Sequence, residues 1–100
     1  MAYYRPDGIE AYRRADGGFS LLVTRRGRTY QRDVEPDDFV TQIEAAAIVR
    51  PQVSRVAVFK WVKSGKLKDD QVDGVSMIRL SRLRKFAAKH GYELAGPFQA

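Results

Sequence analysis

Apolar residues recur at two spacings along this chain, and each spacing marks a different kind of element. Between Val53 and Leu67 the period is helical: Ala57, Val58, Trp61 and Val62 fall on one side, with Arg55, Val56, Phe59, Lys60 and Lys63 on the other. Ser54 suits the N-cap, since its hydroxyl can accept from the free N–H groups of the first turn. Val53 and Val58 are spaced for a hydrophobic staple. Gly65 stands where a left-handed residue would stop the helix, and Lys63 and Lys66 suit its negative end. A helix this short needs a partner for its Trp61 side, which turns the basic side outward. Upstream, Thr41 and Glu44 have the spacing of a capping box. They open a helix expected over Thr41–Val49, with Ala45, Ile48 and Val49 inward. Pro51 disfavours helical geometry at Arg50 and predicts the end there.

The first third of the chain has strand spacing instead. Ile9–Arg14, Phe19–Thr24 and Thr29–Val34 are separated by Ala15–Gly18 and by Arg25-Arg26-Gly27-Arg28, both suited to hairpin turns. Phe19, Leu21 and Val23 share one face. This predicts a three-stranded antiparallel meander that must pack on the helical part. Met1–Asp7, with Tyr3 and Tyr4, is expected to be an arm, and Asp33–Asp38, broken by Pro36, a solvated linker. After Leu67, Asp73-Gly74 predicts a tight hairpin between Val72 and Val75–Ile78. Ser81 is expected to cap a last helix from Arg82 to about His90, with Leu83, Phe86 and Ala87 inward and Gly91 as its stop. The fold class is therefore α+β. Residues 1–35 form an arm and a three-stranded sheet, 36–91 a winged helix-turn-helix, and 92–100 an irregular tail.

Charge changes the picture most. The net +6 lies wholly in residues 53–100, which carry 10 Arg/Lys against 4 Asp/Glu; residues 1–52 carry 8 of each. The half that holds the capped basic helix is the cationic half, as a polyanion partner would require. The 100 residues include no cysteine, so disulfides, thiolate metal sites and a cysteine nucleophile are excluded. No apolar run reaches the length of a membrane span and no signal segment is evident. The expected setting is cytoplasmic and nucleoid-associated.

Two short helices joined by a tight turn, the second with a basic outer face, form a helix-turn-helix arrangement. With the hairpin and last helix added, residues 41–86 resemble the winged helix-turn-helix domain of excisionases and MerR-type regulators. The resemblance rests on Glu44-Ala45-Ala46, Val53-Ser54, Val58-Phe59, Trp61 and Ser64-Gly65-Lys66-Leu67, with Ile78, Ser81 and Leu83 following. It implies binding of double-stranded DNA without catalysis, the helix over residues 54–64 lying in the major groove. By that resemblance Arg55 and Val56 would lie near base edges and Ser54, Lys60 and Lys63 near phosphates. Phe59, Lys66, Arg79, Arg82 and Lys85 complete the candidate DNA-binding set. Three features depart from the family pattern. Arg50-Pro51-Gln52 replaces a single glycine, Phe59 replaces a frequent tyrosine, and the hairpin has Val75-Ser76-Met77 with Asp69, Asp70 and Asp73 nearby instead of basic residues.

Arg25, Arg26 and Arg28 are candidates for a secondary DNA contact, weighed against a plain solvated hairpin tip, which hairpin chemistry favours. Trp61 reads as a core residue, because it shares a face with Val58 and Val62. No enzyme is expected: His90 is the single histidine, no nucleophile is paired with a base, and no cofactor or metal is implied. The partners expected are DNA and either a second copy of this chain or another DNA-bound protein, with no membrane. The alternative is a protein-binding adaptor that uses the helical scaffold or the N-terminal sheet. RNA binding is a third reading, weakened by the lack of paired exposed aromatics on the sheet.

Overall fold

The computed structural model describes residues 6–98; the Tyr3-Tyr4 arm lies outside them. The meander is present as β1 (Gly8–Arg13), β2 (Phe19–Arg25) and β3 (Arg28–Val34), antiparallel in that order. Its register sets Ile9 opposite Val23, Ala11 opposite Leu21, and Phe19 opposite Val34. Residues opposite one another share a face, so these six make one apolar surface. Phe19, Leu21, Val23 and Val34 are fully buried on it, each contributing about 1.5–3 kcal/mol by leaving water. Arg26 and Gly27 form the two-residue turn between β2 and β3, both with positive φ, at 53° and 75°. This is the type I′ geometry that matches strand twist.

Asp33–Asp38 is not the solvated linker expected. Asp33 and Val34 belong to β3, and Val34 is a core residue. Hydrogen bonds from Gln31 and Ser20 hold the Asp33 carboxyl below the usual carboxylate range. A short strand then follows that hydrophobic spacing did not announce, β4 (Phe39–Thr41).

Thr41 and Glu44 form the complete capping box, and α1 runs over Gln42–Ile48. The helix ends before Arg50 as expected, but one residue sooner, at Ile48. Val49 leaves the helical path and, with Arg50, forms β5 (Val49–Arg50). The Arg50 guanidinium donates to the carbonyls of Ala47 and Val49, taking up acceptors that a longer helix would have used. The Arg50–Pro51 peptide is cis. Next come α2 (Arg55–Lys63), a hairpin of β6 (Asp70–Val72) and β7 (Val75–Arg79), α3 (Leu80–His90) and β8 (Glu93–Leu94). The hairpin turns at Asp73 and Gly74, with φ of 51° and 78°. It is not a separate ribbon, because β4 pairs with β7 to make a three-stranded sheet in the order β4-β7-β6.

Ser81 does not cap α3. The helix begins two residues earlier than expected, at Leu80, and Arg79 at its N-cap gives no side-chain bond. The β4–β7 register sets Phe39 opposite Arg79, and the Leu80 N–H then donates to the Asp38 carbonyl at 2.9 Å. Backbone just ahead of β4 does the work of a cap. Leu83, Phe86 and Ala87 are buried as expected, and Gly91 is the left-handed stop.

The tail is not irregular throughout. Glu93–Leu94 pairs with Val49–Arg50, and Ala95 is buried. The Ala95 N–H donates to the Ile48 carbonyl, and the Gly96 carbonyl accepts from Arg13 N–H, both at 2.8 Å. One hydrophobic cluster runs from Ala11, Phe19 and Leu21 through Ala45 and Val58 to Leu83 and Phe86. Segments 1–35 and 36–91 therefore share a single core. No helix among the described residues is long and apolar enough to cross a membrane.

Candidate nucleic-acid interface

Ser54 caps α2, its hydroxyl accepting from the Ala57 N–H at 3.3 Å. At the other end Gly65, with φ of 82°, lets its N–H reach the Val62 carbonyl, and the Leu67 N–H reaches that of Trp61. A left-handed residue is needed there, and glycine takes that shape without cost. Between the caps Val58 is fully buried, while Ala57, Trp61 and Val62 are half-buried. The Trp61 ring packs on Phe86 at 4.6 Å and on Tyr92 at 5.2 Å between centroids. Phe86 also meets the His90 ring at 4.4 Å. The indole is thus spent on packing.

With the Trp61 side anchored, the opposite face of α2 is directed to solvent. Ser54, Arg55, Val56, Phe59, Lys60 and Lys63 are all exposed, and so is Lys66 just beyond the helix. No Asp or Glu occurs between Glu44 and Asp69. Among the described residues none of these cations forms an ion pair. The Lys63 ammonium lies 5.9 Å from the centre of the Phe59 ring, so the apolar and cationic members of the face are neighbours.

The remaining candidates divide. Lys85 is exposed on α3. Arg82 is paired with Asp70 at 3.2 Å. Arg79 lies over the Phe39 ring at 4.6 Å and donates to the Asp37 carbonyl at 3.4 Å. Arg79 and Arg82 therefore brace the β4-β7-β6 sheet as well as carrying charge. Two acids near that hairpin are also engaged, since the Asp69 carboxylate accepts from Gln71 and Ser76 and that of Asp70 meets Arg82. Gln42 at the start of α1 bonds to Ser76, fixing the hairpin against the first helix. Val72 and Val75 stay exposed at its end.

One juxtaposition was not legible in the sequence. A cleft is lined by Asp7, Gly8, Ile43, Ala47, Gln52 and Arg55. The Asp7 carboxylate accepts the Arg26 N–H at 2.8 Å, and the Asp7 N–H donates to the Thr24 carbonyl at 2.7 Å. The root of the arginine-bearing β2–β3 turn thus shares a cleft with the first residue of α2. Pro6-Asp7-Gly8 signalled only a turn, and no spacing rule could relate it to residue 55.

Among the described residues no group of three His, Cys, Asp or Glu is placed to hold a metal ion. No protein-family model matches the chain, and no significant match to it was found among curated proteins or solved structures.

Proposed function

We propose that this protein binds double-stranded DNA, inserting α2 into the major groove, and that it works by binding rather than by catalysis. One observation carries the reading. The outward face of α2 joins Arg55, Lys60 and Lys63 to Val56 and Phe59 with no carboxylate among them, on a helix capped at both ends and anchored through Trp61. Cations along such a face neutralise phosphates and release counterions, which supplies affinity. An arginine at the first helical position is suited to the O6 and N7 of a guanine, which supplies specificity. The succession of helix, turn, basic helix, hairpin and helix supports the same reading, as does its resemblance to excisionase and MerR-type domains. The role that fits is an accessory factor in regulation, recombination or DNA packaging, acting in the cytoplasm at the nucleoid. It would bind beside a second copy of itself or another DNA-bound protein.

Fluorescence anisotropy on a random-sequence duplex tests this directly. Binding is expected to fall by orders of magnitude between low and moderate salt, and Lys60→Ala to make the slope of log K against log salt shallower by about 0.9. Salt-insensitive behaviour, or no binding at low salt, would remove the proposal. The adaptor reading then takes its place, and one observation favours it: Val56 and Phe59 are 54% and 50% exposed on the same face, which suits a protein partner as well as a thymine methyl group.

A further inference from the structure

We propose that the β2–β3 hairpin is a second DNA-contacting element. Its turn arginines would hold the phosphate backbone that flanks the site read by α2. This rests on the DNA-binding reading and adds to it a region outside the winged helix-turn-helix.

Three independent observations point there. The first is charge: Arg26 and Arg28 are exposed and Arg25 half-buried, and among the described residues none of them forms an ion pair. The second is backbone conformation. Arg26 has a φ of 53° in a type I′ turn, a position that Asn, Asp or Gly fills with less strain. A strained residue standing where better turn formers exist points to a use for its side chain. The third is placement. Arg25 and Arg28 are paired across the strands and lie on the same face as Val23 and Tyr30, the face packed toward the helices. Asp7 ties the turn through the Arg26 N–H and lines the same cleft as Arg55. The root of the turn is thus fixed at the cleft that Arg55 also lines, and a duplex in contact with Arg55 would run along this side of the molecule. Cationic groups fixed in advance bind a backbone without the cost of ordering a loose loop.

The test uses the full chain with Arg26→Gly and with Arg26→Gly/Arg28→Ala, against Lys60→Ala as control. Glycine suits the left-handed position, so Arg26→Gly is expected to leave the melting temperature unchanged or higher. Its salt slope should nevertheless become shallower by about 0.9, and that of the double variant by about 1.8. Hydroxyl-radical protection of a duplex carrying a selected site should lose an outer patch and keep the patch under α2. Unchanged slopes and footprint in both variants, with Lys60→Ala still weakened, would overturn the hairpin proposal and leave the α2 reading intact. Absence of salt-dependent duplex binding by the unsubstituted chain would overturn both.

Discussion

Glu44 ties the first helix both to its own cap and to the N-terminal sheet. It is 1% exposed. One carboxylate oxygen accepts from the Thr41 N–H at 2.9 Å, completing the capping box of α1. The other lies 3.4 Å from the Arg32 guanidinium, a charge contact without hydrogen-bond alignment. The second guanidinium nitrogen of Arg32 donates to the Phe39 carbonyl at 3.3 Å. A carboxylate that reads from sequence as a helix cap is therefore also the electrostatic tie between sheet and helices. Removing it leaves a cation and a backbone N–H facing a buried site. Glu44→Ala is expected to destabilise the fold by about 2–4 kcal/mol, read as a lower urea midpoint. A loss under about 1 kcal/mol, ordinary for a capping residue by itself, would show that the contact with Arg32 contributes little.

Among the elements, the β1–β2 connection shows how one small residue can set a turn. Gly18 is fully enclosed, and a Cβ built there would lie 2.1 Å from the Val34 carbonyl oxygen. Its N–H also donates to the Asp16 carboxylate, and the Arg14 N–H reaches the Gly18 carbonyl. Spacing alone marks Ala15–Gly18 as a turn, yet the need for glycine comes from the passage of β3 behind it. Gly18→Ala is expected to cost on the order of 2 kcal/mol or more, since backbone must shift to admit the methyl group. Gly8, with open space around it, serves as the comparison in the same denaturation series. Equal losses at the two positions would refute the close approach.

Across the whole molecule, the single core and the returning tail make two topological units behave as one. Glu93–Leu94 closes on Val49–Arg50 beside the end of α1, Gly96 reaches Arg13 of β1, and the Phe98 ring meets Tyr12 edge-on at 4.9 Å. Unfolding is expected to be one cooperative transition, with near- and far-ultraviolet circular dichroism coincident. Ending the chain after Tyr92 is expected to lower stability by about 2–4 kcal/mol, because several buried hydrogen bonds and the Ala95 contact are lost together. Two separated transitions in the intact chain would mean that the sheet and the helical part fold independently.

Local chemistry was sufficient to determine a good part of this protein. The capping box, the Ser54 cap, the Gly65 and Gly91 stops and both tight hairpins depend on neighbours within a few residues, so a linear reading finds them. The inward faces of β2, α2 and α3 follow from periodicity, because each buries one side only. What required the tertiary structure was everything fixed by distant backbone. Phe39–Thr41 is a strand because Val75–Arg79 lies beside it, and α3 starts at Leu80 because the Asp38 carbonyl is there to receive its N–H. Glu93–Leu94 is a strand because Val49–Arg50 leaves an edge for it to pair with. The candidate site divides in the same way. Cations and caps on α2 are visible as a pattern, whereas the meeting of Arg26 with Asp7, and of Asp7 with the cleft beside Arg55, depends on how the meander packs across α1. Contacts between residues so far apart in the chain leave no periodic trace in it, since they are chosen by the shape of the shared core.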